Sequence, residues 1–427
     1  MDVYFQKRKD ILDNKTFSGS KLFFLFFLLI SVLCFAQGPE LKIGLATSQR
    51  VATFKAEKGF NVFDGRNRTY IADKTLNVRK TGRTYQINSR SFGGNDGIII
   101  EPAGDEFLIE FKDFRYRGKF LLSNTSNVFH VINLVSTEHY LYGVIANEML
   151  RTAPLEALKT LSIVARTYAL KNIGRHSADG FDLCNTTHCQ VYRGYNTECD
   201  EIRNAVDLTR GIAIYYEEQL ISAYHHSACG GGTANNENVW SGSPIPYLRG
   251  RWCNFCEESP RASWELDLKM NELTQKLKGL DVGKIKRIST HKQDEFGRVS
   301  EVRVTGEKTE KIMGANQFRL LIGAMKMWNT MFELRGYGGN SSKINDKVET
   351  IGGLLKTDRK DFIKNIILET EEKRNEIFYE GYKIQGSGSG HGVGLCQWGS
   401  IGLARKGLTF REIIPFYYAG VELKKKY

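Results

Sequence analysis

From Leu41 to about Val135 short apolar runs (LKIGLA, YQINSR, GIIIEP, EFLIEF, RGKFLL, VFHVINLV) recur between Gly, Asn and Asp turns. Runs of this length between turn residues are the mark of strands, and they predict a β-rich module over residues 37–135. At Glu138 the period lengthens to that of a helix, in two pieces broken at Arg151-Thr152-Ala153-Pro154. Thr152 is the expected N-cap of the second piece, and Pro154 suits its first turn. In the first piece Leu141, Val144, Ile145 and Glu148 fall at helical spacing, so one stripe carries three apolar side chains and a carboxylate. The second piece, Leu155 to about Ile173, turns Leu155, Leu158, Leu161, Ala165, Tyr168 and Ala169 inward. Lys159, Ser162 and Arg166 then lie on the other side, which predicts a presented Arg166.

Beyond the helices the pattern loosens. Residues 174–262 are loop-rich and hold most of the cysteines and histidines, with a strand pattern GIAIYY leading into LISAYHHSACGGGTA. Residues from 263 predict a smaller α+β insertion: a helix (MNELTQKLKGL), two strands around Glu295-Phe296-Gly297-Arg298, and a helix (QFRLLIGAMKMW). A polar stretch at about 336–360 reads as a linker. The chain closes with GSGSGHGVGLCQWG, a helix-like IGLARKG and an aromatic strand, and no internal repeat is visible. The expected architecture is α+β and multi-domain. Its parts are a leader (1–36), a β-rich module (37–135), a mixed helix and loop core (136–262), an insertion with linker (263–360) and a C-terminal part that returns to the core (361–427).

A chain of 427 residues with 41% apolar and 25% charged content is a folded protein of two or three domains. Its net charge of +12 favours an acidic partner, such as an anionic cell-wall polymer, a membrane surface or nucleic acid. Basic residues are spread along the chain, which argues against a dedicated nucleic-acid stripe. Leu22 to Ala36 (LFFLFFLLISVLCFA) is an uninterrupted apolar run preceded by Lys7, Arg8, Lys9, Lys15 and Lys21. This predicts a secretory signal cut after Ala36, or an uncleaved anchor, with the body of the chain exported in either case. Without Cys34 seven cysteines remain, an odd number, so at least one is free, metal-bound or paired outside the chain.

Several groups could carry chemistry. A carboxyl on an apolar stripe resists ionising, so Glu148 is either a general acid or a helix-surface residue at the stripe's border. His176, Cys184, His188 and Cys189 offer two thiols and two imidazoles, which would close a tetrahedral zinc site with no open position. The competing reading is a Cys184–Cys189 disulfide. Cys253-Asn254-Phe255-Cys256 is a lone CxxC that could pair internally, join Cys229 or form a redox unit, a structural disulfide being the expectation. The motifs Tyr224-His225-His226-Ser227-Ala228-Cys229-Gly230-Gly231 and Gly386 to Gly394 set imidazoles beside glycines, which lets a bulky polymer approach the backbone. Ser227 lacks an oriented acid and a nucleophile elbow, and the glycine run lacks the GxGxxG spacing of a dinucleotide site.

YLYGVIANEM, APLEALKTLSIVARTYAL, DLCNTTHCQVY, AYHHSACGGGTANNENVW with IPYLRG, and GSGHGVGLCQWG with IPFYYAGVEL occur in this order. Together they resemble the stage II sporulation protein D and amidase-enhancer (SpoIID/LytB) group from about residue 41 to the C-terminus. The resemblance implies a lytic transglycosylase acting on peptidoglycan glycan strands stripped of stem peptides, with the family's catalytic Glu on Glu148 and its helix arginine on Arg166. Candidate substrate-binding residues in these motifs are Arg166, Tyr168, His226, Ser227, Gly230, Gly231, His391 and Gln397. Members with the DxC-x-TTHCQ text imply zinc at His176, Cys184, His188 and Cys189. Cys229, Cys253 and Cys256 depart from the family's common text. The expected partners are glycan strands and an N-acetylmuramoyl-L-alanine amidase, with no nucleic acid, and a membrane only if the leader stays attached. Three further readings stand beside this one: a non-catalytic amidase enhancer, an exported metal-dependent hydrolase, and a two-carboxylate hydrolase using Glu237 or Asp182 with Glu148.

Overall fold

The computed structural model describes residues 38–65, 67–93, 97–104, 108–125, 127–338 and 379–427. The leader (1–36) and most of the 336–360 linker lie outside the described residues. Among those described, no helix is long and apolar enough to cross a membrane. The described residues divide into two units: those of 38–140, 174–196 and 425–427, and those of 141–173, 197–338 and 379–424.

The first unit is the β-rich module. One seven-stranded sheet runs Leu183–Cys184, Glu40–Gln49, Phe129–Ser136, Lys119–Leu122, Ile98–Pro102, Phe60–Asp64 and Asn67–Ile71. A six-stranded sheet runs Phe114–Arg117, Leu108–Phe111, Val51–Lys55, Thr75–Thr81, Thr84–Ile87 and Arg90–Phe92. Thr75–Thr81 alternates buried and exposed positions, as a strand with one wet face must. Phe129–Ser136 is buried almost throughout, as suits a strand in the middle of a sheet. Phe54, Phe111, Tyr116 and Phe120 form an aromatic cluster in this unit's core, with ring centroids 5.2–6.1 Å apart.

Residues 174–196 were expected with the catalytic core, but they join the β-rich unit. The cause is a parallel pairing, Ile43 with Leu183 and Gly44 with Cys184, which extends the sheet's edge. Gly44 permits it: a Cβ there would sit 2.7 Å from the Phe181 ring.

Helix α1 (Thr137–Glu148) follows the Phe129–Ser136 strand directly. In the second unit α2 (Leu155–Lys171) is the central element, packed by α3 (Asp200–Leu208), strand Ile212–Tyr216 and two C-terminal helices. Two details of α2 correct the expectation. Its N-cap is Pro154, with no side-chain cap from Thr152, because Pro154 is extended and already ends the preceding turn. It is also buried on all sides rather than along one stripe. Arg166 is therefore not presented but fully buried, whereas Leu155 is 39% exposed. Helix α4 (Glu237–Trp240) is a single turn.

The expected insertion has its own core. Strands Trp264–Lys269 and Met331–Tyr337 flank Gly381–Ser387, and a meander Ile285–Gln293, Val299–Gly306, Glu310–Gly314 lies with α5 (Met270–Lys276) and α6 (Ala315–Ile322) around Leu268, Phe318, Tyr382 and Ile384. It remains part of the second unit, because its central strand comes from the C-terminal segment. After it come α7 (Gln397–Arg405) and α8 (Phe410–Tyr417). The expected aromatic strand is thus α8, started by a capping box in which Thr409 and Glu412 bond reciprocally. Its aromatic and aliphatic residues fall at helical spacing, and Ile413, Ile414 and Tyr417 are buried.

Candidate active site and metal centre

Glu148 is the last residue of α1, one turn beyond Val144 and Ile145, both fully buried with Leu141. Its side chain is 20% exposed. Gln397 Nε2 donates to Glu148 Oε2 at 3.1 Å, and His225 Nε2 stands 3.6 Å from the same oxygen. The carboxylate opens into a cavity of about 250 Å³ lined by Ala146, Asn147, Met149, Leu150, Ser227, Trp398 and Ile401 as well as Gln397. Among the described lining residues Glu148 carries the one carboxylate.

The two glycine-histidine motifs build this site by pairing with each other. His225 lies opposite Leu395 and His226 opposite Cys396 in a short parallel ladder. Gly394, at φ +71°, passes so close to the Tyr224 carbonyl that a Cβ would stand 2.1 Å from its oxygen. Cys396 then caps α7, which starts Gln397 toward Glu148, while Trp398 N–H donates to the Ser227 carbonyl at 3.0 Å.

Of the sequence candidates, Ser227 and Gln397 line the Glu148 cavity. Tyr168 and Arg166 do not. Tyr168 is buried in α2, and the Arg166 guanidinium donates to the Ile212 and Val206 carbonyls, each at 3.2 Å. The Arg166 guanidinium is thus engaged inside the fold, which corrects its expected presentation. His226 is also buried, its Nδ1 3.2 Å from the Val393 carbonyl, and burial, reinforced by His391 and Arg298, pushes its pKa well below the usual histidine range. Adjacent strand residues face opposite ways, so only one of His225 and His226 can face Glu148. It is His225, which the motif contained but the choice of candidates passed over. Gly230 is set against Ser387, whose carbonyl oxygen would be 2.5 Å from a Cβ there, whereas Gly231 has open space. His391 lies among Tyr224, His226 and Trp240, with Trp240 4.9 Å away, and burial brings its pKa down to about 3.

The other carboxylates considered are engaged. Glu237 takes a two-pronged ion pair from Arg249 at 2.8 and 2.7 Å, which holds its pKa below the usual value. Asp182 accepts the backbone N–H groups of Lys42 and Gly174 at 2.8 and 3.0 Å.

In the first unit the ligand atoms of His176, Cys184, His188 and Cys189 all lie within 4.8 Å of one another. Cys184 Sγ to His188 Nδ1 is 3.6 Å, Cys189 Sγ to His176 Nε2 is 3.4 Å and Cys189 Sγ to His188 Nδ1 is 3.5 Å. A tetrahedral zinc with Zn–S of about 2.3 Å and Zn–N of about 2.0–2.1 Å needs S···N edges of roughly 3.5 Å. The four side chains fit that ion. Both thiols are free, so the alternative disulfide is not formed here. Burial opposes ionisation of Cys184, but hydrogen bonds with Thr186 and His188 outweigh it and bring the pKa down to about 7.

The α+β scaffold thus holds one carboxyl, that of Glu148, by an amide at the edge of a cavity. Residues 125–216 match the family model described as SpoIID, stage II sporulation protein. An uncharacterised protein of Brachyspira hyodysenteriae is 28% identical over 77% of this chain and 76% of its own length. The amidase enhancer of Bacillus subtilis is 29% identical over 83% of this chain, which spans half of that relative. The stage II sporulation protein D of Bacillus subtilis is 27% identical over 68% of this chain and 75% of its own length. Along most of its length the chain is thus similar to proteins of the SpoIID/LytB group.

Proposed function

We propose that the protein is an exported lytic transglycosylase that cleaves peptidoglycan glycan strands with Glu148 as its one acid–base group. The observation that carries this reading is the Glu148 carboxyl in its cavity with no second carboxylate among the described lining residues. Hydrolases of glycosides need two carboxyl groups at a set separation, and Glu237 and Asp182 are committed elsewhere. One carboxyl suffices if the sugar supplies its own nucleophile. Protonated Glu148 gives its proton to the glycosidic oxygen as the C1–O bond breaks. The resulting carboxylate takes the proton of the muramic acid C6 hydroxyl as that oxygen bonds to C1. Glu148 ends protonated, the leaving strand gains a hydroxyl, and the other strand ends in an anhydro sugar. Gln397 holds the carboxyl in place by its hydrogen bond to Oε2. The net charge of +12 suits an acidic polymer.

Zinc at His176, Cys184, His188 and Cys189 is proposed as structural. Four side-chain ligands leave no open position, so the metal would tie the loop at residues 174–196 to its sheet and take no part in cleavage.

A second reading is favoured by the similarity to a protein named amidase enhancer: binding of glycan strands and stimulation of an N-acetylmuramoyl-L-alanine amidase. The two are separated by assaying glycan binding and amidase stimulation beside cleavage. Cleavage lost in Glu148→Gln with binding retained supports the enzyme. Amidase stimulation by a wild type that cleaves nothing supports the enhancer.

A further inference from the structure

Cys229, the Cys253/Cys256 pair and Cys396 come from three separate stretches of the sequence and meet in the second unit. Cys229, Cys253 and Cys396 are fully buried and Cys256 is 5% exposed. Backbone pairing brings them together. Cys253 lies opposite Gly231 in an antiparallel pair, and Cys396 lies opposite His226 in the parallel ladder. Cys229 Sγ is 3.5 Å from Cys256 Sγ and within 4.8 Å of Cys396 Sγ, and a Cβ on Gly399 would stand 2.8 Å from Cys253 Sγ and 3.1 Å from Cys396 Sγ. All four are free. The 3.5 Å separation is far from the roughly 2.05 Å of a disulfide and close to the sulfur–sulfur edge of about 3.8 Å of a zinc–thiolate tetrahedron.

The surroundings are those of sulfur that carries negative charge. Cys396 Sγ accepts two backbone N–H bonds, from Cys229 and Gly399, each at 3.2 Å, the second at the first turn of α7. The Tyr417 hydroxyl lies 3.1 Å from Cys253 Sγ. His226 Nε2 is buried without a hydrogen-bond partner, and His226 has a ring nitrogen within 4.8 Å of the Cys229 and Cys396 sulfurs. Arg298, 1% exposed, donates to the Cys229 and Gly232 carbonyls at 2.6 and 2.7 Å. A buried guanidinium is stabilised by negative charge nearby. Asp294 supplies part, yet its Oδ2 has no partner and its Oδ1 accepts the Phe296 and Arg298 N–H groups. An anionic metal–thiolate cluster would complete the balance.

We propose that Cys229, Cys253, Cys256 and Cys396 form a second metal site, a closed tetrahedral four-thiolate site of the zinc class. Zinc binding displaces the thiol protons to solvent and involves no redox change. The site clamps the loop that carries His225 to the start of α7 that carries Gln397, and so fixes both neighbours of Glu148. Neutral buried thiols would pack as small apolar groups, but they would leave Arg298 with Asp294 alone as counter-charge and the two N–H···S bonds on an uncharged sulfur.

The test uses the full chain, purified under reducing conditions without chelator, with zinc counted by elemental analysis and cysteines mapped by alkylation of the denatured protein without reductant. The variant C184S/C189S, in which the His176 loop is disabled, should retain one zinc per chain, with Cys229, Cys253, Cys256 and Cys396 all alkylated. Cobalt replacing that zinc should give the intense visible bands of tetrahedral cobalt–thiolate. In C253S/C256S one equivalent should be lost relative to wild type. If C253S/C256S does not fold, the zinc count and thiol map of C184S/C189S still decide. Background zinc in C184S/C189S, or disulfides among the four cysteines, overturns the proposal. So does one equivalent that survives in the quadruple variant C184S/C189S/C253S/C256S.

Discussion

Glu148 is defined by two neighbours that approach from distant parts of the chain. The hydrogen bond from Gln397 Nε2 to its Oε2 fixes the orientation of the carboxylate. Hydrogen bonds to charged groups are worth about 1.5–3 kcal/mol, so Gln397→Ala should lower kcat about tenfold or more, with a smaller effect on KM. Steady-state kinetics on purified glycan strands checks this, and an unchanged kcat would count against the geometry. Arg166 makes the opposite case. Its position on α2 suggested a presented cation, but helical spacing tells only which face a residue occupies, not what covers that face. Here α3 and the strand Ile212–Tyr216 cover it, and the guanidinium satisfies two backbone carbonyls. Arg166→Ala should therefore destabilise the fold, by about 2 kcal/mol or more, read as a lower urea midpoint. A selective loss of activity at unchanged stability would restore a substrate role.

At the level of elements, the parts legible in the sequence were those fixed by local period. The strands of residues 37–135, α1 and α2 follow from spacing alone, and so does the apolar stripe that ends in Glu148. What escaped notice depends on partners. The sequence HHS cannot say which histidine faces Glu148, since that is set by pairing with Leu395 and Cys396. Helix α8 is a different miss: Thr409 and Glu412 stand at capping-box spacing, a local signal that outweighs the aromatic content of FREIIPFY. The ladder between the two motifs depends on Gly394, at φ +71° against the Tyr224 carbonyl. Gly394→Ala should cost more than about 1 kcal/mol and disturb Gln397 in the same step, so both the unfolding midpoint and cleavage should fall. Full activity and stability in this variant would contradict the ladder.

For the whole molecule, burial makes stability depend on pH. His391 holds its proton in the fold only below about 3, because burial, His225, Arg298 and Arg319 oppose the charge, whereas its ordinary value is 6.5. Between those values the unfolded chain binds more protons, so stability is fully present above about pH 6.5 and is lost as pH falls toward 3. Urea midpoints between pH 7 and 5 should fall, and His391→Asn should flatten that slope; an equally steep slope in the variant would assign it to other groups. Glycan strands stripped of stem peptides by an amidase, incubated with wild type and with Glu148→Gln and analysed by mass spectrometry, test the central claim. Wild type is expected to produce anhydro-muramic ends, and Glu148→Gln to produce at least about 100-fold fewer. Equal yields from the two proteins, or ends with free reducing sugars in place of anhydro sugars, would contradict it.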